Sequence, residues 1–370
     1  MNPGQSAARP DRDMSRTTPR AEALRHFAET ALSKRDLSIE PASADASFRS
    51  YWRVRDAQRT SVVMDAPPDK ENIEPWLDVG ARLRHAGLHA PEIYAVDRGQ
   101  GFVLMEDLGT RMYLAELDAT TVDNLYSAAF DTLLRMQTRV DPAGLPAFDE
   151  AFMTIELELM PEWFLRRHLG HAVDCDEWDV IELAFRTLLT ALRGQPQTFM
   201  HRDFHSRNLL VIGTNDAAKD TPAKIEPPFL ANPGVIDFQG AMTGPIAYDL
   251  ASLLRDCYIA WDAERVDGWM ENYHERLRHA HLIDTHVDIA LFRRWFDLAG
   301  LQRHIKVLGI FCRLWYRDGK SHYLADLPLT FRYVISVARR YAELAPLADL
   351  LALALGERDI TQPRDEALAG

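Results

Sequence analysis

Cysteine is scarce: the 370-residue chain holds three, Cys175, Cys257 and Cys312, odd in number and far apart. A disulfide framework is excluded as the basis of the fold, and a reducing compartment is expected. Long apolar runs are missing too, and none approaches the ~20 residues that a membrane-spanning helix needs. No apolar stretch follows the arginines of residues 1–20, so a secretory signal is not expected. Asp11 and Asp13 weaken a transit-peptide reading, and the cytoplasm is the expected location. Positive charge is not in excess: 42 Lys and Arg face 55 Asp and Glu, a formal net charge of −13. That disfavours non-specific binding to nucleic acid or a membrane surface, both densely negative. No fixed-period repeat is visible.

What is there is ordinary for a globular protein, with 47% hydrophobic and 26% charged residues. The length suits two or three compact units. Residues 1–20 carry almost no large apolar side chain and read as a flexible tail. Apolar residues at helical spacing over 21–32 predict a helix. Runs at 51–54, 61–64, 93–96 and 102–105 predict strands, the last two joined by Gly99-Gln100-Gly101, with a helix over 74–86. Beyond Gly109, helical periodicity dominates 113–140, 152–169, 176–193, 262–280, 286–318 and 329–355. Residues 200–238 interrupt it with short apolar runs at 209–212 and 235–236. The polar, Pro-rich segment between them, 213–233, predicts a hairpin with a long loop serving as a lid, a partner site or plain disorder. The expected class is α+β: a small sheet-containing N-lobe at 21–108, a mostly helical C-lobe at 109–360, and a tail at 361–370.

The informative stretch runs Met200-His201-Arg202-Asp203-Phe204-His205-Ser206-Arg207-Asn208. It contains H-R-D-x-x-x-x-N, the catalytic-loop pattern of kinases. The spacing has a physical reason. An Asp must reach the hydroxyl that attacks a γ-phosphate, and an Asn must reach a metal on the phosphates a few ångström away. Downstream, Val235-Ile236-Asp237-Phe238 sets a second carboxylate at the end of an apolar strand. Each of Asp203, Asn208 and Asp237 taken alone could cap a turn; the joint pattern outweighs that. His201 and His205 are spaced like a helical zinc pair, but no H-E-x-x-H signature or cysteine cluster supports zinc.

With these residues the sequence resembles the aminoglycoside phosphotransferase/choline kinase branch of the protein-kinase-like fold. That branch shows H-x-D-x-H-x-x-N, then I-D-[FW], then a G-x-x-x-x-D-L-A segment, matched here by Gly244 to Ala251 with Asp249. Within the branch, the stretches 45–51, 64–68, 105–109, 237–241 and 317–320 are similar to the bacterial anomeric kinases that act on N-acetylmuramate and N-acetylglucosamine in cell-wall sugar recycling. The resemblance covers roughly 25–350 and implies a bilobal fold using ATP and Mg²⁺, with a small amino sugar as substrate. It implies no nucleic-acid or membrane partner and leaves oligomeric state open.

Residue by residue, the resemblance implies Asp203 as catalytic base, Asn208 and Asp237 as Mg²⁺ ligands, and His201, His205 and Asp249 as supports. Ser43, Ser47 and Arg49 lie where the phosphate loop belongs, without its glycines, and Glu106 to Leu108 lie where a hinge would read adenine. Arg313, Trp315 and Arg317, in a mainly apolar run, are candidates for the sugar site or for a buried ion pair. By default Trp163, Trp261, Trp269 and Trp315 read as core. One departure stands out: the strand that should end in a phosphate-gripping Lys or Arg carries Met64. Lys70 or Arg49 is the expected substitute, and Glu71 and Glu74 are loose candidates for its acidic partner. Two alternatives remain: a kinase of the same branch acting on an aminoglycoside, choline or homoserine, and a nucleotide-binding regulatory pseudokinase.

Overall fold

The computed structural model describes residues 18–44, 48–57, 59–213 and 229–364. They divide into two compact units, the first formed by 18–78 and 91–109, the second by 79–90, 110–213 and 229–364. In chain order the first 109 residues hold α1 (Pro19–Leu32), β1 (Ser38–Ala44), β2 (Ser50–Arg55), β3 (Thr60–Asp65), α2 (Glu74–His85), β4 (Leu88–His89), β5 (Ile93–Asp97) and β6 (Phe102–Glu106).

In the first unit, α1 starts where its chemistry allows. The Thr18 hydroxyl accepts the Ala21 N–H at 3.2 Å, and Pro19 sits in the first turn, where no N–H is needed. The helix thus begins two residues inside the stretch read as a tail. An antiparallel sheet has the order β1-β2-β3-β6-β5. Trp52, Val54, Val63, Phe102 and Leu104 form one core with Leu24 and Ala28 of α1 and with Leu37. Strand alternation sends the intervening residues to the other face, where Val62 pairs with Met105 and Met64 with Val103. Gly101 closes the β5–β6 turn at φ +72, and a Cβ there would stand 1.9 Å from the Ala66 carbonyl oxygen. Strand β1 escaped the sequence pattern because it is polar and carries Pro41, which an edge strand tolerates.

The second unit contains α3 (Tyr113–Glu116), α4 (Val122–Arg139), α5 (Glu150–Leu157), a π-helix Met160–Leu169, α6 (Cys175–Arg193), β7 (Gln197–Met200), β8 (Leu209–Leu210), β9 (Leu230–Val235), β10 (Met242–Pro245), α7 (Tyr248–Leu254), α8 (Ala263–His279), α9 (Ile289–Tyr316), α10 (Leu327–Ala338) and α11 (Ala345–Leu355). Two small ladders, β7 with β10 and β4-β9-β8, carry the loops that matter below. The expected hairpin is present as β8 and β9, with Leu209 opposite Val235; most of its connection, 214–228, lies outside the described residues.

Helix α9 runs through the middle of this unit and is buried nearly all round from Phe292 to Leu314. Such a helix has no solvent face, so Asp297, Gln302, Arg303, His304 and Lys306 must find partners inside. Gly309 permits a close approach, since a Cβ there would lie 2.4 Å from the Leu159 carbonyl. The single periodic stretch 152–169 becomes α5 plus the π-helix, Pro161 having no N–H to continue the α-helical ladder. The last residues described are not free: Arg364 N–H donates to the Tyr316 hydroxyl at 2.8 Å. Among the described residues no helix is long and apolar enough to cross a membrane.

Candidate active site

Strand β7 delivers the chain into the 201–208 loop and β8 takes it out. Pairing of β8 with β9 then sets Asp237, two residues past β9, beside Asn208. Asn208 Nδ2 donates to the Asp203 carbonyl at 2.9 Å and reaches Asp237 Oδ2 at 3.4 Å. Ile236 N–H returns a bond to the Asn208 carbonyl at 3.1 Å, and Gln239 Nε2 donates to Asp237 Oδ1 at 2.7 Å. The fold therefore brings Asp203, Asn208 and Asp237 together across 34 positions of sequence. Two residues here hold left-handed backbone without being glycine: Arg202 at φ 76 and Asp237 at φ 61. Such conformations cost about 1–3 kcal/mol each and persist only where the surroundings fix them.

Two buried carboxylates supply that fixing. Asp249, in the first turn of α7, accepts the His201 N–H at 2.7 Å and the Arg202 N–H at 2.9 Å. Asp256, just beyond the end of α7, accepts the Ser206 N–H at 2.9 Å and the Ser206 hydroxyl at 2.5 Å. His201 is fully buried. Its Nδ1 accepts the Asp203 N–H at 3.3 Å and its Nε2 faces the Ile236 carbonyl at 3.2 Å. Burial pushes its pKa down to about 4, so the ring is neutral, with its proton on Nε2. His205 is also lowered by burial, and its Nδ1 has no partner among the described residues.

The charge around Asp203 is set mainly by α9. Burial alone would raise the Asp203 carboxyl, but Lys306, His205, Arg303 and Arg202 outweigh it and hold it below the usual carboxylate range. Lys306 Nζ reaches Glu156 Oε1 at 3.6 Å and the Tyr248 hydroxyl at 3.4 Å. The same Glu156 accepts Arg202 Nη2 at 2.8 Å and Gln302 Nε2 at 3.2 Å. Three cations and one shared carboxylate thus surround the loop. Sequence reasoning missed Asp256, Glu156, Arg303 and Lys306. The signals were there: Asp256 follows Asp249 by seven residues, two helical turns, and Lys306 interrupts an apolar run.

In the first unit, Arg49 is buried and engaged, and Ser43 lies in β1 opposite Tyr51. Ser47 lies outside the described residues. Met64 is fully buried. Its neighbour Asp65 is held by Arg20, at 3.0 Å to Nε. Lys70 lies 5.3 Å from the Phe48 ring and Glu71 accepts the Phe48 N–H at 3.1 Å, so the segment after β1 is tied to residues 70–71. Glu74 instead pairs with Arg98 on the surface. Glu106 ends β6 with its N–H donated to the Glu92 carbonyl at 2.8 Å, and Leu108 follows it between Asp107 and Gly109. Asp107 takes Arg53 in a two-point contact at 2.6 and 2.9 Å. At the C-terminal end of α9, Arg313 is half-buried with Nε unpartnered among the described residues, while Arg317 is exposed and bound to Asp318. Trp315 falls on a different face of the helix from those two arginines.

The fold and the 201–208 loop together define a phosphotransferase. A family profile described as "Phosphotransferase enzyme family" matches residues 38–283, and the chain belongs to that family. Three curated relatives are each named N-acetylmuramate/N-acetylglucosamine kinase. The one from Pseudomonas aeruginosa is 42% identical over 317 residues, covering 84% of this chain and 87% of the relative. That from Pseudomonas putida is 39% identical, covering 85% and 88%. That from Neisseria meningitidis serogroup B is 38% identical, covering 91% and 96%. Among solved structures, an ethanolamine kinase of Plasmodium vivax aligns with TM-score 0.57 at 13% identity, covering 85% of this chain and 87% of that one. The choline kinase LicA of Streptococcus pneumoniae aligns with TM-score 0.55 at 12% identity, covering 85% and 99%. At those identities the likeness is one of fold: a small antiparallel sheet region and a mostly helical remainder, as the α+β kinase-like reading expected.

Proposed function

We propose that this chain transfers the γ-phosphoryl group of ATP to the anomeric hydroxyl of N-acetylmuramate and N-acetylglucosamine, giving the sugar 1-phosphate and ADP, as a step in recycling cell-wall amino sugars. The observation that carries the reading is the 38–42% identity, over most of the chain, to relatives of that name. The assembled Asp203, Asn208 and Asp237 support it.

In this reading Asp203 orients the sugar hydroxyl and takes its proton as the oxygen attacks phosphorus. A carboxylate kept ionised by Lys306 and Arg303 is ready to accept that proton. Asn208 and Asp237 offer carboxamide and carboxylate oxygens only, a donor set that fits Mg²⁺. Among the described residues no group of three or more His, Cys, Asp and Glu is placed to cage an ion. Two protein oxygens suit an ion that completes its shell with phosphate oxygens and water. When bound, Mg²⁺ supplies neutralisation of the phosphate charge. Leu108 and the apolar sheet face of Val62, Met64, Val103 and Met105 are the adenine side of the reading, with Ser43, Ser47 and Arg49 on the phosphates. Arg313, Trp315 and Arg317 are the sugar side.

The test is ³¹P NMR of the protein with ATP, Mg²⁺ and each sugar, with choline and kanamycin as parallel acceptors. A proton-coupled sugar 1-phosphate resonance is expected with the two amino sugars. Product from choline or kanamycin alone would overturn the substrate and keep the chemistry. Asp203→Asn should lower turnover about 10²–10⁴-fold; near-normal turnover in that variant removes Asp203 as base.

A further inference from the structure

Arg207 sits between two anchored neighbours, Ser206, held by Asp256, and Asn208, held against Asp203 and Asp237. Its backbone is therefore as fixed as the catalytic residues themselves. Its side chain is held by stacking: the guanidinium carbon lies 3.5 Å from the centroid of the Tyr258 ring. Stacking uses the flat face of a guanidinium and leaves its edge of N–H donors available. Those donors make no hydrogen bond within the described residues. The nearest carboxylate oxygen, on Asp326, is 3.9 Å away, beyond hydrogen-bond length, and the Arg207 side chain is 35% exposed. Burial also raises the Asp326 carboxyl, which weakens it as a counter-ion.

The surroundings suit a sugar. The Tyr258 ring meets the His205 ring edge-on at 5.5 Å and the Phe311 ring at 6.4 Å, and Phe311 meets Tyr323 at 5.3 Å. A chain of packed rings, with His205 and Phe311 buried, thus begins two residues from Asp203 and includes the ring on which Arg207 stacks. Asp203 and Arg207 are four positions apart, a reach of no more than about 14 Å. The two amino sugars differ in one respect: N-acetylmuramate carries a lactyl carboxylate on its C3 oxygen, two ring carbons from the anomeric carbon, and N-acetylglucosamine has only a hydroxyl there. A fixed guanidinium with a free edge is the group that recognises a planar carboxylate at two points.

We propose that Arg207, stacked on Tyr258, is the specificity-determining residue that binds the carboxylate of the acidic amino sugar while its anomeric hydroxyl lies at Asp203. This rests on the amino-sugar reading above. The competing role is a structural latch, Arg207 to Asp326, that pins the loop and touches no substrate.

Steady-state kinetics with both sugars separates the two, using the full-length protein and its Arg207→Gln, Arg207→Lys and Asp326→Asn variants. Arg207→Gln should lower the ratio of kcat/KM for N-acetylmuramate over N-acetylglucosamine about 10–100-fold, the loss of a charged hydrogen-bonding contact, and mainly through KM. Arg207→Lys should restore part of that ratio. Asp326→Asn, which frees the guanidinium from its only near carboxylate among the described residues, should lower KM for N-acetylmuramate. A latch predicts the opposite pattern, with all three variants losing thermal stability and both sugars declining in parallel; that result, or no change in the ratio, overturns the proposal. If Arg207→Gln does not fold, an unchanged or raised KM in Asp326→Asn overturns it. A wild-type protein that phosphorylates neither sugar overturns the amino-sugar reading and this inference with it. An active wild type whose variants keep the ratio overturns the inference alone.

Discussion

The two ends of the 201–208 loop are held by the same kind of group in different ways. At the entry, Asp249 accepts two consecutive backbone N–H groups, so it fixes main-chain geometry at Arg202, where φ is left-handed. At the exit, Asp256 accepts one backbone N–H and one rotatable hydroxyl, both from Ser206. The entry clamp has no slack, since a buried N–H cannot turn to another acceptor. The exit clamp has some, since a hydroxyl can. The base, Asp203, lies next to the rigid end, and the residue stacked on Tyr258, Arg207, lies next to the adaptable one.

The comparison breaks most visibly at the rigid end. Asp249→Ala leaves two buried N–H groups without acceptors, at about 1–3 kcal/mol each, so roughly 2–6 kcal/mol of stability should be lost with most of the turnover. Urea unfolding and a turnover assay read both; a loss under about 1 kcal/mol would mean that the loop holds itself. Lys306→Met comes next. It removes the largest favourable charge on Asp203, leaving burial to push the carboxyl upward. In the wild type any acid limb of kcat/KM due to Asp203 lies below the ordinary aspartate value of about 3.9. In the variant it should move toward neutral pH, and superimposable profiles between about pH 4 and 8 would discount the role of α9.

A third effect belongs to Asp249 alone. Burial pushes its carboxyl up to about 7, against about 3.9 in an unfolded chain. The unfolded state therefore gives up this proton first. The stabilisation it brings is complete below about pH 4 and is lost as pH rises through about 7. Asp249→Asn cannot titrate, so the difference in unfolding free energy between about pH 5 and pH 8 should shrink relative to wild type; an equal difference would assign that slope to other groups. The smallest effect is expected at the adaptable end. Ser206→Ala removes one hydroxyl and keeps the N–H bond to Asp256, at a cost of about 1 kcal/mol, and turnover should be reduced only modestly. A cost matching that of Asp249→Ala would erase the distinction between the two ends.

The loop's composition could be read from the chain because its chemistry is local: Asp203 and Asn208 are five residues apart, and the apolar run before Asp237 announces a strand. The strands β2, β3, β5 and β6 were legible for the same reason, each carrying its own pattern. What the sequence concealed is what acts at a distance. Strand β1 is polar and holds a proline, and β7 and β10 are four-residue pieces whose paired residues Met200 and Met242 stand 42 positions apart. Lys306 interrupts an apolar run, but neither it nor Glu156 carries a local sign of its partner. Only the packing of α5 and α9 makes them neighbours beneath the loop. A helix buried on every side erases the amphipathic signal that normally marks which face is inside.

The dependence of the loop on α7 also sets an order of events in the making of the protein. The acceptors for its N–H groups lie 47 to 50 residues further along the chain. As the polypeptide emerges from the ribosome, the 201–208 segment has no acceptor to hold its left-handed bend until Asp249 has appeared and α7 has docked, and none for Ser206 until Asp256 follows. Until then the unpaired amides are exposed, and contacts spanning so long a stretch form late because their loop-closure entropy must first be overcome. A nascent chain arrested before Asp249 would carry the complete catalytic motif and lack the shape that gives it meaning.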